Sequence, residues 1–481
     1  MVVAAAAAGG YGIYESTKIR PTPPSTSSTS STSSTSTALT SSAVPPWSWE
    51  GAAAPYAGST VTGVYTSGDN DDTTARDVAP DFTKLAGINL TVMDFGWTAM
   101  HDKMMAAFRA NAPTYDMAML NWMFYPEMIG PGWIERLEPY LENTKLTSPD
   151  LDFEDFIPGF RDFFVWFDTK KLHWGRDAGT QGEMYCLPGP HTDCTFLVVR
   201  RDVLEKNGQE YPKDWDAYTQ IAKVINNPKE NFYGNVGAYR IEDVYYQDWF
   251  ARFVSLGGQL YTGSKEDKSI WPHYDSEEAI QALQGMIDVL PYSPPGVAQY
   301  GMTEACDEVA AGRAGMISNW AMASGRFWLP ELSKVSDKVE AIETPGKGEN
   351  FGKNCRGGFG MGIPKGSKNK EAAWLWIQYF VSKKVDLYRC LKYGIAPTRL
   401  STIRNPEVLQ KMPFWKNYEQ MAAKSVFIDE ALFPEVWELI DNASRHQNAA
   451  LAGLETAEKA MLATQDQNVA VLRRAGWIPS A

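Results

Sequence analysis

Histidine is scarce and cysteine follows no metal-binding spacing. The 481 residues include five His and five Cys: Cys186, Cys194, Cys306, Cys355 and Cys390. No CxxC or CxxH pair occurs, which argues against zinc ribbons and thioredoxin-type redox sites. Enzyme signatures are missing as well. There is no GxSxG, HExxH, Walker A loop or GxGxxG at a strand-to-helix turn. The sequence therefore calls for no catalytic residue, metal or cofactor. It also lacks a basic excess. Net charge is −13, and phosphate binding needs clustered Lys and Arg, so nucleic acid is not an expected partner.

The apolar run at residues 2–14, VVAAAAAGGYGIY, is shorter than the roughly 20 residues that span a bilayer. It lacks the basic region that begins a secretory signal, because Lys18 and Arg20 follow it. Residues 1–20 read as an anchor or signal remnant. Residues 25–37 are all Ser or Thr, bracketed by Pro21, Pro23, Pro24, Pro45 and Pro46. Such a tract buries nothing and reads as an extended stalk at 21–54, open to O-glycosylation. A stalk behind an apolar start suits a protein tethered outside a cell membrane.

What the chain has in quantity is aromatic residues, among them 17 Trp and 22 Tyr. Flat apolar faces suit a sugar, whose axial C–H groups pack on an indole while its hydroxyls reach polar partners. The remaining composition, 44% hydrophobic and 21% charged, is that of a globular body. Periodicity predicts a strand over 59–66, a polar loop at Gly68 to Asp72, a strand over 88–93 and a helix over 98–110. Leu187-Pro188-Gly189-Pro190 predicts a turn, because prolines and glycine interrupt a central strand. A strand at 195–199, a short helix at 202–207 and a helix after Asp214 follow. Cys186 and Cys194 flank that turn, which leaves a local disulfide open. Asp275 is the expected cap of the next helix, with Glu278 completing a capping box. The order of elements is that of a doubly wound α/β protein, whose ligands sit outside the carboxyl ends of strands.

Several stretches together resemble the extracellular solute-binding proteins of ABC transporters, in particular the carbohydrate- and oligosaccharide-binding type. Leu187-Pro188, Val199 to Leu204, Gly208, Pro212 and Asp214-Trp215-Asp216 match its crossover segment. Tyr115 to Trp122 matches "pDvv..w", and Gly312 to Trp320 matches "GkaAM.i.w". Cys355 to Pro364, Ser367 to Phe380, Tyr393 to Arg399 and Gly453 to Gly476 match later segments. Val199-Arg200 stands where the family often has Tyr-Asn.

The resemblance implies an α/β fold of two lobes, each a doubly wound sheet flanked by helices. Lobe 1 would take 55–190 with 356–395, and lobe 2 would take 191–355 with 396–481. Crossovers fall near 188–194, 352–358 and 394–399. It implies a monomeric receptor that clamps a sugar or oligosaccharide in the cleft and serves an ABC permease by hinge closure. Candidate ligand residues are Asp69, Trp97, Asn121, Trp122, His191, Glu242, Asp243, Trp249, Asn319, Trp320 and Arg356. For each Trp the competing role is core packing, strongest for Trp249, which shares helical spacing with Phe253. A glycan hydrolase using Glu242, Asp243 or Asp69 stays open. So do a surface adhesion protein and a receptor for peptides, polyamines or sugar phosphates.

Overall fold

A computed structural model describes residues 47–68, 70–112, 114–170, 173–174, 182–241 and 245–479. The apolar start and the stalk lie outside the described residues. The main sheet uses β1 (Thr60–Thr66), β2 (Asn89–Phe95), β3 (Met117–Asn121), β4 (Leu187–Arg200), β5 (Met316–Trp320), β6 (Val339–Ile342), β7 (Asn354–Gly362) and β8 (Ser425–Val426). Its order is β5-β4-β7-β3-β1-β2, with β6 also on β4 and β8 on β7. β1 pairs in parallel with β2 and with β3.

Two long strands join the halves of this sheet. Near its start, β4 sets Leu187 and Pro188 against Met361 and Gly360 of β7, which pairs there with β3. Further on, β4 sets Thr192 to Cys194 against Gly358 to Arg356, then Thr195 to Arg200 against β5 and β6. One lobe is thus built around β1 to β3, the other around β5 and β6, and β4 and β7 run through both. This is the two-lobed architecture of periplasmic binding proteins.

Helices cover the first lobe's sheet. α1 (Asp71–Ala86) buries Ala75, Val78 and Phe82, and α2 (Trp97–Arg109) buries Met100, Met104 and Phe108. In the second lobe α3 (Trp215–Ile225) starts at Asp214, whose carboxylate accepts from Ala217 N at 2.7 Å. α4 (Tyr245–Leu256) and α5 (Glu277–Asp288) follow. α6 (Lys370–Phe380) returns to the first lobe and buries Trp374 and Trp376. The Trp376 indole donates to Tyr65 Oη on β1 at 2.7 Å. α7 (Val436–Leu451) and α8 (Ala457–Ala475) pack on each other and on α5 in the second lobe.

Three expectations are corrected. First, no turn interrupts Leu187 to Pro190, because the residues belong to β4. Proline's fixed φ is compatible with extended chain, and the lost N–H donors fall where β7 carries a register shift between Gly358 and Gly360. Gly189 has no room for a side chain, since a Cβ there would sit 2.4 Å from Phe359 O. Gly358 takes φ +123°, which favours glycine. Second, the strand separates Cys186 from Cys194 by roughly 25 Å of extended chain, well beyond disulfide reach, and both are free buried thiols. Third, the cap of α5 is Ser276, one residue past Asp275, with Ala279 N donating to its hydroxyl at 3.3 Å. Among the described residues, no helix is long and apolar enough to cross a membrane.

Candidate functional site

The sheet brings several of the predicted residues to the place where β4 and β7 cross between the lobes. β3 ends at Asn121, opposite Phe359 of β7. The Asn121 side chain caps the following 3₁₀ turn, Trp122–Phe124, by accepting from Met123 N at 3.0 Å, and donates to Gly358 O at 3.4 Å. Trp122 then meets Phe427 edge-on, with centroids 5.0 Å apart. Phe427 comes from the segment that returns through β8, and it also lies 4.5 Å from Phe163.

Arg356 ties these groups to the crossing strand. Its Nε donates to Ser425 Oγ at 2.8 Å and one terminal nitrogen to Ser425 O at 2.9 Å. The guanidinium lies over the Phe163 ring at 5.1 Å. On the second lobe, β5 ends at Trp320, which is nearly buried. Its ring lies so close to Gly357 that a Cβ there would be 2.5 Å from Cη2. Asp193, beside Gly357 in register, accepts from Met322 N at 3.1 and 3.2 Å and so holds the turn after Trp320.

A second cluster lies alongside. Trp97 opens α2 and Trp437 opens α7, and their centroids are 4.5 Å apart. Phe124 stacks with both, at 6.0 Å from Trp97 and 5.9 Å from Trp437. His101, one turn after Trp97, lies 4.5 Å from Trp437 and 5.0 Å from Phe124. Its Nε2 is 2.8 Å from Glu127 and its Nδ1 is 3.1 Å from Asp102. Arg109 approaches Glu127 at 3.5 Å. Glu127 also borders a cavity of about 450 Å³ lined by Arg109, Trp133 and Pro434, among others.

The predicted residues therefore divide. Asn121, Trp122, Trp320 and Arg356 converge on the crossing, and Trp97 joins the neighbouring cluster. Asn319 points away, into the second lobe, where its amide donates to Cys306 Sγ at 3.3 Å. Trp249 is corrected to a core residue. It is fully buried, stacked on Phe253 at 5.2 Å and Tyr274 at 5.9 Å, and its indole donates to Ala279 O at 3.0 Å. Asp69, Glu242 and Asp243 lie outside the described residues. His191 lies within β4 and not in a turn, and its side chain is likewise outside the description. Phe427, Trp437, Asp193 and His101 escaped sequence reasoning. Trp437 carried one usable signal, an aromatic in the first turn of an amphipathic helix.

Known proteins share this architecture. Residues 65–386 match the family model described as bacterial extracellular solute-binding protein. A probable amino-acid ABC transporter periplasmic-binding protein of Sinorhizobium fredii is 24% identical over 419 residues, covering 83% of this chain and 86% of the relative. A ribitol complex of an ABC transporter solute-binding protein from Agrobacterium radiobacter K84 superposes with a TM-score of 0.75 at 21% identity, covering 86% of this chain and 99% of that one. The maltose-bound T. maritima MalE3 superposes with a TM-score of 0.72 at 23% identity, covering 87% and 100%. The match to the family model takes in both crossing strands, β4 and β7, and the ends of β3 and β5, so the chain belongs to the bacterial extracellular solute-binding proteins.

Proposed function

We propose that this solute-binding protein takes a sugar, oligosaccharide or polyol into the seam between its lobes and delivers it, chemically intact, to the membrane subunits of an ABC importer. It works as a monomer outside the cell, held to the membrane through residues 1–20 and the stalk. The observation that carries the ligand class is the aromatic seam. Trp97, Trp122 and Phe124 from the first lobe meet Phe427 and Trp437 from the returning chain. Arg356 and Asp193 lie nearby on the crossing strands. Rings for C–H faces beside charged groups for hydroxyls suit a polyhydroxylated ligand. The ribitol and maltose held by the two solved relatives are of this class. Ligand contacts to both lobes would favour the closed state, and closure is the signal the importer reads.

Thermal unfolding of the full chain tests this with ribitol, mannitol, glucose, maltose and maltotriose, alongside amino acids, peptides and polyamines. A sugar or polyol at a hundredfold excess over Kd should stabilise the fold by about 2.7 kcal/mol. The radius of gyration should shrink and the ligand should be recovered unchanged. Stabilisation by amino acids, peptides or polyamines alone would refute the ligand class. Glycan cleavage that disappears in Glu242→Gln or Asp243→Asn would replace the receptor with a hydrolase.

A further inference from the structure

We infer that Trp437 is a length gate, and that the ligand is a single monosaccharide or a short-chain polyol and not an oligosaccharide. This rests on the proposed sugar or polyol ligand and concerns the same seam. The argument is one of spacing. A pyranose held between two aromatic planes needs a carbon contact on each side, so the planes must stand roughly 7–8 Å apart, twice the 3.5–4.0 Å of one contact. Trp437 leaves no such gap. Its ring is 4.5 Å from Trp97, 4.5 Å from His101 and 5.9 Å from Phe124, centroid to centroid. No sugar unit fits between Trp437 and these rings while they are seated.

The plug has a defined place. Phe124 stands two residues past Trp122, so one side of the plug adjoins the strand ends that carry Asn121 and Trp122. On the other side Glu127 holds His101 and borders the 450 Å³ cavity with Pro434, three residues before Trp437. A ligand at the strand ends that extended toward this cavity would have to displace the plug. His101 resists that, since Glu127 and Asp102 engage both of its ring nitrogens. The gate also crosses the lobes. Trp97, His101 and Phe124 belong to the first lobe, whereas α7, which carries Trp437, packs in the second. Closing the lobes is therefore what seats the gate. The Trp437 indole N–H is buried and has no protein acceptor, so a donor is left at the plug for a ligand hydroxyl.

Calorimetry on the full chain and on Trp437→Ala and Trp437→Phe, with ribitol, mannitol, glucose, maltose and maltotriose, tests the gate. The unmodified protein should bind one or more of the single units and leave maltotriose unbound. Trp437→Ala should bind maltotriose measurably and lose about thirtyfold for the single unit, the scale of one interface hot spot. Trp437→Phe, which keeps a ring in place, should retain the size cut-off. Should Trp437→Ala fail to fold, the cut-off in the unmodified protein and in Trp437→Phe still decides the matter. Tighter binding of maltotriose than of glucose by the unmodified protein, lost in Trp437→Ala, would make Trp437 a platform for longer sugars and overturn the gate alone. Failure of every sugar and polyol to bind any of the three proteins would overturn the proposed ligand class and the gate with it.

Discussion

Trp249 lies in the core of the second lobe and Trp437 in the seam between the lobes. Both sit on helices and both stack on other rings. Trp249 is fully buried within one lobe, with Phe253 and Tyr274 near-parallel to it and its N–H bonded to Ala279 O. Trp437 is only partly buried, takes its ring neighbours from the opposite lobe and has no acceptor for its N–H. The difference lies in where the partners come from. A ring completed by its own lobe is fixed by folding. A ring completed across the seam is completed only when the lobes meet, so its energy is available to closure and binding.

The largest expected effect tests the core side. Trp249→Ala should cost roughly 3–5 kcal/mol of stability, because a large cavity opens in a site that cannot collapse. Urea unfolding would measure it, and the surviving folded fraction should bind ligand with unchanged affinity. A loss of affinity without a loss of stability would make Trp249 a ligand contact and not a core residue.

Next in size is the response to alkali, which asks whether the core is sealed against charge. Burial pushes the Cys186 thiol up to about 12 and the Cys306 thiol up to about 11. It raises Cys194 and Cys390 as well. Below about pH 9 these thiols are protonated in both states. Above it the unfolded chain loses its protons first, so stability falls as pH rises toward the folded values, by about 1.4 kcal/mol per pH unit for each thiol. Lys265 works in the opposite sense. Burial lowers it to about 8, so the folded state sheds that proton first and stability rises between about pH 8 and its unfolded value near 10.5. The two trends partly offset each other, which makes a single variant the cleaner readout. Cys186→Ala should lose about 1 kcal/mol less than the parent between pH 9 and 10, by urea midpoints at each pH. Equal losses in the two proteins would show that this thiol is not sealed from water.

Much of this arrangement was legible in the sequence, for a local reason. The amphipathic spacing of Met100, Met104 and Phe108 located α2 to within a residue, and Asp214 located the start of α3. Asn121, Trp122, Trp320 and Arg356 were legible as strand-end or crossing-strand residues of a recognisable family pattern. What failed was non-local. Pro188 and Pro190 broke a strand on propensity alone, yet β7 beside them is irregular enough to accept the lost donors. Helical spacing with Phe253 already favours the core for Trp249, whereas the seating of Trp320 against Gly357 comes from a strand that spacing cannot place. Phe427 and Trp437 acquire their role when the chain returns through β8 after more than three hundred residues to meet Trp122 and Trp97. No spacing within the sequence records that meeting.

The last effect separates crossing strand from platform. Gly357 of β7 lies beneath the Trp320 ring, and a Cβ there would sit 2.5 Å from Cη2 and 2.7 Å from Cζ3. The ring is nearly buried, so it cannot swing into solvent and must be pushed off the strand. Gly357→Ala should therefore cost about 1–3 kcal/mol, the usual penalty for overpacking, and should weaken ligand binding through the displaced Trp320. The decisive measurement is a cycle with Trp320→Ala. If the clash is with this ring, removing the ring removes the clash, and the double variant should be no less stable than Trp320→Ala alone. The two substitutions would then be non-additive, as expected for groups in direct contact. Additive losses would mean that Gly357 is required by the backbone of β7 itself. Trp320 would then owe nothing to the crossing strand, and the seam would have to position it by other means.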